Sequence, residues 1–134
     1  MQLPPGSIIA SGPVIVESGK VLLNREQKAS GVTPWLFPGG EVEDFSSTLH
    51  DECAREVKEE MGIDIEIICP LQPIILFQEG RVLILIHWLA KRIGEVTPGA
   101  NIVEWGWHDM KNLPDNCAPN VVQIVNGLNV QPRQ

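Results

Sequence analysis

The sequence predicts an α/β fold in which a mixed β-sheet lies between helices. Apolar runs of strand length, bounded by glycine and proline, occur before and after one strongly amphipathic helical segment. The chain has 134 residues with 43% hydrophobic content, which suffices for one packed core and hardly for two. We therefore expect a single domain over residues 1–134.

The first half of the chain is predicted to open with a hairpin. Residues 7–16 form one arm, interrupted by Gly12-Pro13, and residues 20–25 form the other arm across Glu17-Ser18-Gly19. Residues 27–34 are expected to form a loop and residues 35–37 a short strand. That strand would lead into the Gly39-Gly40 turn and then into the amphipathic helix.

The second half is predicted to complete the sheet. Residues 63–67 alternate as a half-buried strand does, and Glu79-Gly80 marks a hairpin between 74–78 and 81–92. The unbroken apolar run at 82–86 favours a strand covered on both faces, at the centre of the sheet. Residues 102–108 form a last strand, and a short helix over 119–126 precedes Gly127.

The amphipathic segment over residues 47–61 is predicted to be a helix that packs on the sheet. Leu49, Cys53, Val57 and Met61 recur every fourth residue and form its apolar stripe. Hydroxyl side chains at 46–48 offer an N-cap, with an acid at 51 as a capping-box partner. Gly62 is suited to end the helix in a left-handed turn.

The other face of this helix is crowded with acids. At about 100° per residue, Glu56, Glu59 and Glu60 fall within roughly a 100° arc, and Glu52 lies one turn earlier on the same face. Like charges at this spacing destabilise a helix unless a cation neutralises them. Hard oxygen ligands of this kind indicate Mg²⁺, with Mn²⁺ as the other candidate.

This segment resembles the signature motif of the Nudix (MutT-like) hydrolases, G-x5-E-x7-R-E-U-x-E-E-x-G-U, in which U is aliphatic. Residues 55–63 read R-E-V-K-E-E-M-G-I and match every fixed position of its second half. Residues 35–40, W-L-F-P-G-G, resemble the strand and turn that precede the motif in that family. The resemblance implies a Nudix-type α/β/α sandwich with a mixed β-sheet.

The first half of the motif departs from the family pattern. One residue more than expected separates Gly40 from Arg55, and Ser47 stands where a glutamate is expected. That glutamate lies at the edge of the family's metal cluster, so the departure concerns how many metals are held and how tightly. Glu52 is a candidate to substitute for it.

The resemblance implies a metal-dependent hydrolase that cleaves the diphosphate linkage of a nucleoside diphosphate joined to another group. Its metal ligands would be Glu56, Glu59 and Glu60, and Arg55 would clamp these carboxylates. The small size and the W-L-F-P-G-G segment favour a nucleoside triphosphate or an oxidised nucleotide as substrate. ADP-ribose or a sugar nucleotide is the alternative.

Four further residues enter the predicted site. Gly39 and Gly40 would let the backbone turn closely beneath the metal, and Arg25 resembles a position that contacts substrate phosphate in some relatives. Glu104 is a candidate general base, beside a motif glutamate or Glu95. For Arg25 and Glu104 an ordinary surface role is the competing interpretation.

Charge and cysteine content limit the partners. A net charge of -7 argues against a protein that holds the backbone of a nucleic acid, and a small anionic nucleotide would need bridging cations. The three cysteines have no C-x-x-C spacing, which favours reduced thiols and a cytoplasmic protein. No apolar run is long enough to span a membrane, so we expect no membrane partner. A homodimer is the favoured oligomer.

Two other function classes share these features. A Nudix-like domain that binds and senses nucleotides without turnover is compatible with Ser47. An isomerase of isoprenyl diphosphates shares the fold, but this chain is short and has no obvious catalytic cysteine motif. Turnover of a nucleotide with Mg²⁺ separates the hydrolase from the sensor.

Overall fold

The computed structural model describes residues 2–130, and every structural statement below refers to that range. It contains eight strands and two helices in the chain order β1 (Ile8–Glu17), β2 (Lys20–Lys28), β3 (Gly31–Val32), β4 (Gly40–Glu41), α1 (Leu49–Met61), β5 (Asp64–Pro70), β6 (Ile74–Gln78), β7 (Arg81–Ile93), β8 (Ile102–Asp109) and α2 (Pro119–Val130).

The sheet is mixed and β7 lies at its centre, as the sequence predicts. β1 runs parallel to β7 on one side, while β5 and β6 pair antiparallel with β7 on the other. β1 turns back into β2 through Ser18 and Gly19, and β2 pairs antiparallel with β8. The predicted hairpins at 17–19 and at Glu79-Gly80 are both confirmed.

Side chains along β1 and β2 alternate between the two faces of the sheet, and each face has its own hydrophobic core. Ile15 and Leu22 pack with the apolar stripe of α1 around Val57 and Met61. The neighbouring residues in sequence point to the opposite face, where they pack with Trp35, Phe37 and the buried side of α2; they are Val14, Val21 and Leu23. The predicted arrangement of a sheet between helices is therefore confirmed.

Several predicted boundaries are wrong for local reasons. Residues 35–37 do not form a strand, because Trp35 and Leu36 make only single bridges to Cys117 and Asn24. α2 continues through Gly127 to Val130, since its buried face compensates for a helical glycine. β2 extends to Lys28, so Glu26 and the first two residues of the predicted loop at 27–34 lie in a strand. The run at 82–86 is mostly half-buried instead of fully covered.

Both ends of α1 are fixed by the residues that the sequence indicates. The Thr48 hydroxyl accepts a hydrogen bond from the Asp51 amide at 3.3 Å, and Gly62 adopts a left-handed conformation with φ of 69°. The amides of Thr97 and Gly99 then donate to the carbonyl oxygens of Met61 and Glu60, both at 2.7 Å. The last turn of α1, which carries two of the three acids, is therefore held firmly.

Within residues 2–130, neither helix combines the length and the hydropathy that crossing a membrane requires.

Gly62 tests the cap of α1. A Cβ there would lie 2.8 Å from the Thr97 carbonyl oxygen, in addition to the strain of a positive φ. We expect Gly62→Ala to lower the free energy of unfolding, measured in urea, by about 2–3 kcal/mol. The control is Gly19→Ala, which has φ of 76° but open space around its Cβ, and should cost only about 1 kcal/mol. Equal losses in the two variants would show that the Thr97 contact contributes nothing.

Candidate active site

The glycine turn brings the acidic helix against β1. Gly40 pairs with Ser11 of β1, and a Cβ on Gly39 would lie 2.6 Å from the Cα of Gly12. A Cβ on Gly40 would lie 2.5 Å from Oε2 of Glu56, so the missing side chain is the space that this carboxylate occupies. Both glycines are therefore points of close approach, Gly39 to the backbone of β1 and Gly40 to Glu56.

Arg55 holds three carboxylates at once. Its Nη1 donates to Glu59 and its Nη2 donates to Glu56, each at 2.8 Å. Glu52 receives two bonds, from Nη2 at 2.8 Å and from Nε at 3.3 Å. The guanidinium thus neutralises part of the charge that crowds this face of α1, as the clamp interpretation predicts.

Glu52 is the most buried member of this network. Its side chain is 2% exposed, and it accepts a hydrogen bond from the backbone amide of Glu43 as well as those from Arg55. The hydrogen bonds from Arg55 hold the pKa of the Glu52 carboxyl below its usual range. Glu52 therefore links the loop before α1 to Arg55, and both of its carboxylate oxygens accept hydrogen bonds from Arg55.

Glu60 lies apart from Arg55. Its Oε2 accepts the Gly39 backbone amide at 2.7 Å, and its carboxyl contacts that of Glu26 on β2. Burial, and then this second carboxyl, raise the pKa of Glu60 above its ordinary value. Burial likewise raises the pKa of Glu56, although Arg55 opposes the change. Glu56 and Glu60 are therefore held in positions where burial destabilises the ionised form of the carboxyl.

Carboxylate oxygens are the ligands that a hard divalent cation prefers, but the three motif acids have different partners in the structure. Glu56 and Glu59 bind Arg55, whereas Glu60 meets Gly39 and Glu26. No three His, Cys, Asp or Glu side chains within residues 2–130 are arranged as a ready metal site. The four carboxylates nevertheless line one cavity, namely those of Glu26, Glu56, Glu59 and Glu60.

That cavity has a volume of about 1000 Å³ and combines two environments. One part is lined by the α1 acids, Glu26 and the glycine turn. The other part is lined by side chains from β7, α2 and the segment before the turn, among them Phe37, Leu85, His87, Ala118 and Asn120. A ligand with a charged and an aromatic portion fits such a cavity.

His87 and Asn120 form a buried polar pair in the apolar part. Nδ1 of His87 lies 3.1 Å from the Gly12 carbonyl oxygen, so this nitrogen must donate, and Nε2 accepts from Asn120 at 3.1 Å. Burial lowers the pKa of His87 to about 4, so the ring is neutral at neutral pH. Because the Asn120 nitrogen faces the ring, its oxygen is turned away as an acceptor for a ligand.

The structure does not bring Arg25 and Glu104 to the acidic helix. Arg25 Nη1 binds Glu104 at 3.1 Å across the β2–β8 pair, its Nε donates to the Thr33 carbonyl oxygen, and the guanidinium lies 5.9 Å from the Trp35 ring centroid. Neither residue lines the cavity. The alternation of β2 explains this, because Arg25 points away from the face that carries Glu26.

Sequence reasoning missed Glu26, His87 and Asn120. The signal for Glu26 was available, because Leu22, Asn24 and Glu26 are spaced two apart and the first two are buried on the α1 face. His87 is hydrogen-bonded within the fold, but its place in the cavity depends on contacts between residues far apart in sequence. Nothing local marks Asn120.

The comparisons with known proteins agree with this geometry. The model of the NUDIX domain matches residues 8–125, which is most of the chain. Three solved structures have the same fold, at TM-scores of 0.80, 0.75 and 0.66. Their sequence identities of 22–23% establish likeness of fold alone.

The first is a MutT NUDIX hydrolase from Burkholderia pseudomallei, 23% identical, where the match covers 90% of this chain and 96% of that one. The second is the MutT protein from Methanosarcina mazei Go1, also 23% identical, with 98% and 99% covered. The third is an ADP-ribose pyrophosphatase from Streptococcus suis 89-1591, 22% identical, with 94% of each chain covered. The matched domain and the shared fold place this chain in the Nudix family, whose hydrolases generally use divalent metal ions to act on small nucleotide derivatives.

Proposed function

We propose that this chain cleaves the diphosphate linkage of a nucleoside diphosphate joined to another group, with Mg²⁺ or Mn²⁺ as cofactor and a nucleoside triphosphate or oxidised nucleotide as the favoured substrate. The observation that carries the proposal is the single cavity shared by the carboxylates of α1 and the apolar region around Phe37 and Asn120. The two portions of a nucleotide, anionic and aromatic, require these two environments side by side.

Within this proposal the carboxylates of Glu56, Glu59 and Glu60 hold the cation. When bound, the cation would neutralise charge on the non-bridging phosphate oxygens and acidify a water molecule. Arg55 keeps Glu56 and Glu59 in position, and the turn at Gly39 and Gly40 lets the substrate phosphates approach closely.

A motif glutamate is the favoured general base, since it lies in the cavity beside the phosphates. Glu104 would need to leave its partner Arg25 and turn toward the cavity before it could take that role. The same change would be needed before Arg25 could contact a phosphate. Both residues remain in the proposal only as second candidates.

Asn120 and Phe37 are proposed to bind the nucleobase of the substrate. Phe37 is 5% exposed and packs edge-on against His87, with ring centroids 4.9 Å apart, which makes one wall rigid. Asn120 presents its amide oxygen to a donor on the base edge, while His87 fixes the amide orientation. A rigid wall with one oriented acceptor selects a heteroaromatic ligand over a flexible one.

The proposal takes residues 1–134 as one hydrolase domain that acts in the cytoplasm on a small molecule, and not on a nucleic acid polymer. It includes a homodimer. Ile75 and Phe77 of β6, each 70% exposed, form an apolar surface that a second copy would cover.

Product release from a substrate panel tests the hydrolase proposal. With Mg²⁺, nucleoside triphosphates and oxidised nucleotides should be cleaved faster than ADP-ribose or dinucleotides, as measured by mass spectrometry of the products. Glu56→Gln and Glu60→Gln should each lower kcat by about 100-fold or more, because charge neutralisation supplies several kcal/mol of the barrier lowering. Glu66→Gln, on the exposed side of β5, is the control and should retain activity. Tight nucleotide binding without turnover by the unaltered protein would identify a sensor instead.

Glu52 is expected to act through Arg55. Glu52→Gln removes the charge that orients the guanidinium, so kcat should fall by about tenfold while KM changes little. Asp51→Asn makes the same chemical change on the same turn, at an exposed carboxylate without a contact to Arg55, and should retain activity within about twofold. Steady-state measurements of kcat and KM for the two variants test this role of Glu52. Equal activities would exclude a positioning role for Glu52.

Asn120 tests the nucleotide-binding region. Asn120→Ala should raise KM for nucleoside triphosphates by about tenfold, the equivalent of one good hydrogen bond, and leave KM for inorganic triphosphate unchanged. Gln123→Ala, an exposed position one turn later on α2, is the control. An equal rise in KM for both substrates would show that the nucleobase does not bind at Asn120.

A further inference from the structure

Glu26 is a carboxylate of the cavity that lies outside the helical motif. It follows Asn24 on the face of β2 that is turned toward α1, and its side chain is only 12% exposed. The register between β2 and β8 shifts at this residue, since Arg25 pairs with Glu104 but Glu26 pairs with Ile102. The extra residue, Val103, lies on β8, so β2 keeps its alternation and Glu26 stays on the same face as Asn24.

The Glu26 side chain meets Glu60 from the opposite wall of the cavity. The two carboxyls lie within hydrogen-bonding contact, and Glu60 is anchored from behind by the Gly39 amide at 2.7 Å. Two carboxylates this close repel each other strongly when they are shielded from water. A proton or a positive partner between or beside the two carboxyls relieves this repulsion.

The cations of the described chain do not supply that partner. Arg55 directs its hydrogen bonds to Glu52, Glu56 and Glu59. Lys28 approaches Glu26 only to 3.8 Å, and its side chain is 57% exposed, so water screens this pair. Neither carboxyl of the Glu26–Glu60 pair therefore has a close cationic partner within residues 2–130.

A second polar group in the same cavity also lacks a good partner. Ser11 is 2% exposed and lines the cavity beside the glycine turn. Its hydroxyl meets the Cys53 thiol, a weak partner, and makes no stronger hydrogen bond within residues 2–130. This under-satisfied hydroxyl, packed behind the cavity wall, makes the end of the site beside the glycine turn polar.

We infer that Glu26 is a ligand of the divalent cation, facing Glu60 across the cavity and completing a set whose other members come from α1. The inference rests on the proposed metal-dependent function. It adds a ligand from the sheet to a site whose motif acids all lie on one helix. A cation held from two elements is fixed in position relative to both.

Binding of Mn²⁺, followed by the loss of the free-ion electron paramagnetic resonance signal, tests this assignment without using activity. Glu26→Gln should weaken Mn²⁺ binding by about tenfold or more, since even indirect partners of a metal cost that much. Glu41→Gln removes the same charge from an exposed residue that lines the same cavity, and should change the affinity by less than about twofold.

Thermal unfolding without metal provides the structural control. Glu26→Gln removes one of two repelling carboxylates, so its melting temperature should equal or exceed that of the unaltered protein. Glu26→Asp keeps the charge but withdraws the carboxylate by one methylene, and its Mn²⁺ affinity should also fall. This second variant decides the matter if Glu26→Gln does not fold.

The outcomes separate the two proposals. Strong Mn²⁺ binding by the unaltered protein, with equal affinities in Glu26→Gln and Glu41→Gln, would overturn the role of Glu26 and leave the hydrolase proposal intact. Unchanged affinity in Glu26→Asp would overturn it as well. No Mn²⁺ binding by the unaltered protein would contradict the metal-dependent function itself.

Discussion

The repulsion among carboxylates on one face of α1 is the constraint on which the site depends. Glu52, Glu56 and Glu59 follow one another along that face, and each accepts a hydrogen bond from the same guanidinium of Arg55. One positive charge does not balance three negative ones, and Glu60 and Glu26 add two more nearby. The helix is therefore stable in this place because its apolar stripe is buried and both of its ends are capped.

The fold provides the rigidity that such a concentration of charge requires. β1 is parallel to the central strand β7, and the glycine turn lies directly against β1. This contact sets the distance between α1 and the sheet, because any side chain at Gly39 would meet the backbone of β1. The segment at 97–99 fixes the other end of the helix by bonding its last carbonyl oxygens. The backbone positions of the acids are thus fixed before any ligand arrives, which favours electrostatic catalysis.

Much of this arrangement follows from local sequence, and the remainder requires the tertiary structure. The period of the apolar stripe and the residues Thr48 and Gly62 determine α1, so its prediction needed no long-range information. Packing of the two helices on the sheet, in contrast, brings Glu26 to Glu60 and His87 to Asn120 across 34 and 33 positions of sequence. No local pattern identifies such partners. Arg25 and Glu104 illustrate the opposite error, since a resemblance in spacing did not reveal which face of the strand each side chain occupies.

The central claim is that these carboxylates hold a divalent cation against an anionic nucleotide. A crystal structure with Mn²⁺ and a non-hydrolysable nucleoside triphosphate tests it most directly, because the anomalous signal locates the ion independently of the protein. The account predicts an ion bound to Glu60 and to at least one of Glu56 and Glu59, with the phosphates on its far side. Bound nucleotide without an anomalous peak at these carboxylates, under saturating Mn²⁺, would contradict it.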